Sequence, residues 1–170
     1  AASDVYKRQG EYREPFRWAS DDLYHPDMKD YVEGNYSADN QLGDEAEARK
    51  GESRLWKYYE GIRKASTFIV NVDRCPELTM DEIADMKGQA RFLRAYCYWA
   101  LIRVYGPVPL IPLEGLDVNL SYEELSLPRE HFDNLVDFID QELAESARSL
   151  PTKRTVNNLG RPTRGAASVS

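Results

Sequence analysis

The feature that most restricts the fold is a long segment, ending at residue 105, whose apolar side chains recur every three to four residues. Its stripe comprises Ile83, Met86, Ala90, Leu93, Cys97, Ala100 and Val104. Such spacing places the side chains on one face of an α-helix. Thr79 and Glu82 form a capping-box pattern at its start, and Gly106 and Pro107 end it. The segment predicts a helix over 81–105 that packs with this stripe inward.

Two further segments show the same helical spacing. The first, over 52–73, carries Leu55, Tyr59, Ile62, Ala65, Ile69 and Val72, and the second, over 128–149, carries Phe132, Leu135, Val136, Ile139, Leu143 and Ala147. Both predict amphipathic helices, the second opening at Pro128. Alternate prolines remove backbone donors over 107–112, which predicts an extended connector lying against the helices. Ser121 and Glu124 predict a short capped turn, and residues 160–167 indicate the entry to a fourth helix.

These elements predict an all-α fold of helical hairpins similar to tetratricopeptide units. The two hairpins lie about 75 residues apart, whereas a regular array repeats at about 34 residues, so we do not predict a repeat array. Because the sequence stops as the fourth helix begins, we expect a truncated chain that is incomplete at its C-terminus and unfolds easily.

The sequence before the first helix has no sustained period. Residues 1–9 share no pattern with the rest, and we interpret them as a remnant of expression or assembly. Residues 10–50 are punctuated by Pro15, Pro26, Gly34 and Gly43 yet rich in aromatic side chains. This combination predicts a long ordered loop region, because long loops in compact domains are usually functional. Residues 51–170 then form the helical region.

Composition excludes several classes of protein. The formal net charge of −7 argues against nucleic acid as a partner, because affinity for its backbone depends on Lys and Arg. Cys75 and Cys97, the only two thiols, indicate neither a disulfide framework nor a metal site. No apolar run is long enough to span a membrane, and residues 1–10 lack the apolar core of a signal peptide.

Catalytic and metal-binding readings of the sequence have little support. The carboxylates of the third helix, Asp137, Asp140, Glu142 and Glu145, are expected to form a solvated face. Asp21 and Asp22 are adjacent, which does not make an acid–base pair. Two histidine clusters, His25 with Asp27 and Asp30, and His131 with Glu130 and Asp133, match no specific ligand spacing. We therefore predict a protein that is not an enzyme and that holds no metal or cofactor.

The loop before the first helix is the candidate binding site. A Trp or Tyr ring can stack on the C–H face of a sugar while Asp and Asn bind its hydroxyl groups. The candidate carbohydrate-binding residues are Trp18, Asp21, Tyr24, Asn35, Tyr36 and Asn40. The alternative is that the aromatic rings of the loop only pack against the helices and hold the loop on them. For the helical aromatics, Tyr59, Phe92, Tyr96 and Trp99, we expect core positions.

Several stretches of the sequence resemble the RagB/SusD family. They are residues 55–65 with Phe68 and Ile69, residues 86–96 with Tyr98 and Trp99, the run Tyr105-Gly106-Pro107-Val108-Pro109-Leu110, residues 123–126, Pro128 and Arg129, residues 136–139, Leu150 and Pro151, and residues 160–167. They occur in the family's order and cover residues 21–167. Ser66 departs from the family, in which Asn is common, and residues 168–170 do not continue the expected helix.

The resemblance implies a surface-exposed lipoprotein of the cell outer membrane. Such a protein captures oligosaccharides and delivers them to a SusC-like TonB-dependent transporter, which its helices face. The resemblance also implies a longer chain, whose lipid anchor and most glycan-binding residues are absent from this sequence. The alternative is a helical scaffold that only docks a partner protein and has no ligand site here. An enzyme, the third possibility, would require two carboxylates that converge in a cleft.

Overall fold

The computed structural model describes residues 54–116 and 126–168, together with the single positions 33, 119, 121 and 123. The chain divides into two compact units, Ala1–Lys57 and Tyr58–Ser170. In the first unit, the described residues are Glu33, in an exposed turn, and residues 54–57, which begin a helix. The rest of the predicted loop region over 10–50, and the predicted cap at Glu124, lie outside the described residues.

The described backbone is helical and contains no β-strand. Helix α1 is Arg54–Asn71 and continues into a 3-10 turn at Val72–Arg74, α2 is Met80–Tyr105, and α3 is Phe132–Ser149. A second 3-10 turn, Val156–Asn158, precedes the short helix α4, Arg164–Ala167. The predicted all-α class and its three long helices are confirmed, and a fourth helix begins within 160–167 as predicted.

Both ends of α2 follow the sequence signals. The Thr79 hydroxyl accepts a hydrogen bond from the Glu82 backbone N–H (3.3 Å), and the Glu82 carboxylate accepts from the Thr79 backbone N–H (2.9 Å). This is the predicted capping box, which satisfies donors that a helix N-terminus leaves unpaired. At the other end Gly106 adopts a φ of 65° and donates to the Ile102 carbonyl, so α2 stops where glycine allows the chain to turn.

Helix α3 begins later than predicted. We predicted its opening at Pro128, but the segment before Phe132 is extended, with His131 as the N-cap residue. The Glu130 backbone N–H donates to the Val108 carbonyl at 3.2 Å, which ties this segment to the extended connector, residues 107–112. Because this N–H group bonds to the connector, the segment around it stays extended. The first turn of α3 therefore begins later in the sequence than predicted.

Helices α1, α2 and α3 pack as consecutive antiparallel neighbours around one core. An added Cβ at Gly61 of α1 would lie 3.0 Å from Cys97 Sγ of α2, and one at Gly88 of α2 would lie 3.1 Å from Ser149 Cβ of α3. The buried core residues are Ile62, Ala95, Tyr98, Leu101, Val108, Leu135 and Ile139. Val108 brings the connector into this core, as predicted for an extended segment lying against the helices.

The buried face of α2 differs from the predicted stripe. Leu93 was expected in the core but is 52% exposed, whereas its neighbours Arg94 and Ala95 are buried. Because α1 and α3 cover two adjacent faces of α2, the buried arc passes through Ala95, Tyr98 and Leu101, on the α3 side of the predicted stripe. Small residues fit a buried or an exposed position of a helix equally well. The apolar spacing in the sequence therefore did not fix which arc of α2 is buried.

A similar shift occurs on α3. Phe132 and Val136 were expected on the inner face but are 45% and 43% exposed. Glu142, which we assigned to the solvated face, is buried. Ser146 is also buried, and its hydroxyl donates to the Gly88 carbonyl at 2.8 Å. This hydrogen bond is possible because Gly88 allows α2 and α3 to approach closely.

The segment between α3 and α4 is held by Arg154. Its guanidinium makes a two-point contact with the Asp85 carboxylate of α2, at 2.7 and 2.8 Å, and its Nε donates to the Pro162 carbonyl. Thr163 caps α4, and Ala167 is 1% exposed against α3. The polar loop is therefore fixed by a charged pair with the geometry that arginine and carboxylate favour. In the described part of the chain, no helix has the length and apolarity needed to cross a membrane.

Candidate functional site

All six predicted carbohydrate-binding residues lie outside the residues that the structure describes. They are Trp18, Asp21, Tyr24, Asn35, Tyr36 and Asn40. The same is true of Asp22 and of the histidine cluster at His25. Their assignment to a site stays a prediction. The chemistry of the described residues is concentrated in a buried polar cluster and on two exposed surfaces of the helices.

Arg94 is at the centre of the buried polar cluster between α2, α3 and the connector. It is 3% exposed, its Nη1 lies 3.4 Å from Glu142 Oε1, and the same oxygen accepts a hydrogen bond from Arg91 Nη1 at 2.7 Å. Arg94 Nη2 donates to the Ile111 carbonyl at 2.9 Å. The guanidinium also lies over the Phe138 ring, 4.8 Å from its centroid. The buried charge is thus paired and hydrogen bonded, as the cost of burying an ion requires.

Two tyrosines fix the connector from opposite helices. The Tyr98 hydroxyl accepts from the Ile111 backbone N–H at 2.8 Å, and the Tyr59 hydroxyl donates to the Pro109 carbonyl at 2.9 Å. Burial raises the pKa of both phenols above the ordinary tyrosine value, so each hydroxyl keeps its proton over the physiological range. With Arg94, these side chains supply the hydrogen bonds that a neighbouring strand would otherwise give to an extended segment.

The cluster has the composition of a structural network rather than of a catalytic centre. Glu142 is its carboxylate and is held by two arginines, an arrangement that offers no proton-transfer partner. Among the described residues, which include His131 with Glu130 and Asp133, no group of three potential metal ligands is found. The Cys97 thiol is half-buried between α1 and α2, and burial raises its pKa to about 11, which keeps it protonated and unreactive.

An exposed aromatic and cationic surface lies on the outer face of α2. Tyr96 and Trp99 were expected in the core but are 49% and 42% exposed. Their ring centroids are 5.7 Å apart, and the Arg103 guanidinium lies 4.3 Å from the Trp99 ring centroid. We call these three residues the α2 surface. Trp, Tyr and Arg are the residues most enriched at protein binding hot spots, and a spacing of three to four residues in the sequence places them on one helical face.

The fold and the cluster define a class of protein. Antiparallel helices share one core, a proline-rich connector is pinned by side chains, and the exposed aromatic residues lie on a helix face. This is a tetratricopeptide-like helical fold. The family described as "Starch-binding associating with outer membrane" matches residues 17–170. The chain belongs to this SusD-like family, and the resemblance seen in the sequence is confirmed.

Individual relatives agree with this assignment. A SusD-like protein of Formosa agariphila is 25% identical over 138 residues, which is 80% of this chain and 25% of that protein. A SusD-like protein structure from Bacteroides fragilis shares 29% identity and a TM-score of 0.58, covering 66% of this chain and 21% of the other. Surface glycan-binding protein A from Bacteroides uniformis shares 28% identity and a TM-score of 0.57, with 66% and 25% covered. The chain therefore spans about a fifth to a quarter of the length of these relatives.

Proposed function

We propose that this chain is the helical part of a non-enzymatic glycan-binding protein on the surface of the cell outer membrane. The protein captures oligosaccharides and delivers them to a SusC-like TonB-dependent transporter, and a lipid anchor outside this sequence holds it at the membrane. The observation that carries the proposal is the SusD-like match over residues 17–170. The surface glycan-binding protein from Bacteroides uniformis, at 28% identity, supports the choice of glycan as ligand.

The oligosaccharide site is proposed in the loop before α1. Trp18 and Tyr36 supply rings that can stack on the apolar faces of a sugar, and Asp21, Asn35 and Asn40 supply hydroxyl-binding groups, with Tyr24 as a third ring. Their proximity in the sequence supports a single site. The helices then act as the scaffold that carries the loop.

The glycan proposal is tested on the full-length protein by affinity electrophoresis in gels that contain starch, laminarin, polygalacturonate or carrageenan. Binding to at least one polysaccharide is expected. Isothermal titration with its oligosaccharides should then show that Trp18→Ala and Tyr36→Ala each weaken binding by about 1–3 kcal/mol, the range for aromatic stacking on a ring ligand. Asp137→Asn, on the exposed face of α3, is the control and should bind normally.

Two results would contradict the proposal at different levels. Retardation by none of the four gels would remove the glycan function for these polymers. Normal affinity in both loop variants would instead leave the function in place and move the site away from Trp18 and Tyr36.

The second candidate is a scaffold that only docks a partner protein, and the α2 surface favours it. Half-exposed Tyr96 and Trp99 beside Arg103 have hot-spot composition without requiring a sugar. Co-expression with a SusC-like transporter, followed by affinity purification, provides the test. Trp99→Ala should lower recovery of the transporter if this surface docks it, whereas Phe132→Ala, similarly exposed on α3, should not. A protein that docks the transporter but binds no glycan would favour this candidate over the first.

A further inference from the structure

A groove on the second half of α1 has features that neither the loop site nor the α2 surface uses. It has a volume of about 540 Å³ and lies between α1 and the segment that leads to α2. Its apolar lining includes Phe68, Val72 and Leu78. Val72 is buried and forms part of the floor, while the Phe68 ring is 40% exposed and so presents apolar area to the groove. A volume of this size is in the range of small-ligand sites, about 300–1,000 Å³.

The polar lining of the groove is cationic and hydrogen bonding. Arg63 is exposed and, in the described part of the chain, has no carboxylate partner. Lys64 Nζ lies 2.6 Å from Glu60 Oε1, but the two side chains are 69% and 42% exposed, so solvent weakens this pair. The Asn71 side-chain amide donates to the Thr67 carbonyl at 2.8 Å, which fixes a polar group at the rim. The lining has two cations and no carboxylate, in a chain with a net charge of −7.

This combination of groups matches an acidic sugar. An aromatic ring with exposed area can stack on the C–H face of a pyranose, and a guanidinium can bind a carboxylate or sulfate through two parallel hydrogen bonds. Amide and hydroxyl groups at the rim can bind the sugar's hydroxyls. A neutral sugar would offer no group of opposite charge to Arg63 and Lys64. Charge complementarity therefore selects an anionic residue within an oligosaccharide.

We propose that the α1 groove is a binding site for an anionic sugar residue, in which Phe68 stacks on the ring and Arg63 and Lys64 bind its carboxylate or sulfate. The proposal rests on the glycan-binding function proposed above and names its ligand class. The groove's residues lie on α1 and on the segment that follows, and none of them is among the six predicted loop residues.

The test uses full-length protein and isothermal titration with oligosaccharides of polygalacturonate, of κ-carrageenan and of laminarin. The first two separate carboxylate from sulfate as the anion, and the third is neutral. Binding of at least one anionic ligand is expected, and higher salt should weaken it. Arg63→Gln should lower its affinity about tenfold, the loss typical of one charge-assisted hydrogen bond. Phe68→Ala should lower affinity to a similar extent.

Matched control variants distinguish the loss of a groove residue from the general loss of one cation or one aromatic ring. Arg161→Gln removes one cation from an exposed position outside the groove, and Phe132→Ala removes a ring that is exposed to a similar degree. Both should bind as the unmodified protein does. Thermal unfolding of every variant checks that Arg63→Gln, at an exposed position, keeps the fold.

The possible outcomes distinguish this proposal from the function on which it rests. The proposed groove site is contradicted if the protein binds laminarin alone, or if Arg63→Gln and Arg161→Gln weaken binding of the anionic oligosaccharide equally. Either result leaves the glycan function in place. No binding to any polysaccharide overturns both. Normal glycan affinity in Arg63→Gln and Phe68→Ala, combined with reduced recovery of the transporter, would show that the groove takes a protein segment instead.

Discussion

At the residue scale, the most consequential side chains are those that the helical period alone misplaces. The buried residues of α3 are Leu135, Ile139, Glu142 and Ser146, spaced by four, three and four residues, so Glu142 continues the buried line of the helix. The sequence also offers the line through Leu143 and Ala147, and apolar residues make that choice the natural one. Which of the two lines is buried depends on two arginines of α2, which lie 51 and 48 residues before Glu142 in the sequence. No local sequence pattern reveals that Glu142 pairs with them.

Removal of Glu142 should therefore cost much more stability than removal of an exposed glutamate. Glu142→Ala leaves Arg94, whose side chain is 4% exposed, without its carboxylate, and loss of one partner of a buried pair costs about 3–5 kcal/mol. Glu145 pairs with Arg148 on the surface, so Glu145→Ala should cost less than about 1 kcal/mol. Urea unfolding followed by circular dichroism measures both. Equal losses would show that the buried cluster does not stabilise the fold.

At the scale of the helices, a glycine at the contact allows α2 and α3 to pack closely. Gly88 has the carbonyl that receives the Ser146 hydroxyl, and an added Cβ there would lie 3.1 Å from Ser149 and 3.3 Å from Leu150. Leu150 is fully buried and has no room to move. A glycine within a helix is unfavourable by roughly 1 kcal/mol relative to alanine, so its presence at this contact indicates a steric requirement.

Substitution of this glycine should destabilise the protein although it improves helix propensity. Gly88→Ala is expected to lower the free energy of unfolding by about 1–2 kcal/mol, because overpacking outweighs the gain in propensity. Gly160 has no atom within 4 Å of an added Cβ, so Gly160→Ala should leave stability unchanged or slightly raised. Thermal unfolding of the two variants is the comparison, and a stabilised Gly88→Ala protein would show that the α2–α3 contact can open without cost.

The capping box makes the start of α2 sensitive to acid. Hydrogen bonds from Thr79 lower the pKa of Glu82 below its usual value. Because the folded pKa lies below the unfolded one, the stabilising contribution is present above the unfolded pKa and is lost as pH falls through the folded pKa. Glu82→Gln should therefore show a shallower loss of stability on acidification than the unmodified protein. Glu77→Gln, at an exposed position just before the helix, should leave the pH profile unchanged, and urea unfolding across acidic pH provides the measurement.

For the whole molecule, the sequence was sufficient to predict the helices but not how they share their faces. Thr79 with Glu82, Gly106 with Pro107, and the proline connector are local signals, and the structure has each of them in place. Which arc of α2 is buried depends on where α1 and α3 lie, and that depends on contacts such as Gly61 with Cys97. The loop residues chosen for sugar binding, including Trp18 and Tyr36, stay predictions, because ring chemistry proposes a ligand class without fixing a position.

The connector's attachment also has a consequence for cleavage by proteases. An extended surface segment is ordinarily a preferred cutting site, but the backbone of residues 107–112 is bound by Tyr59, Arg94 and Tyr98, and cleavage requires these bonds to open. Tyr98→Phe removes the acceptor for the Ile111 N–H and should speed cuts within the connector, as read by limited proteolysis and mass spectrometry. Tyr96→Phe, on the exposed face of α2, should not. Native protein cut first within residues 107–112 would show that these side chains leave the segment open to the protease.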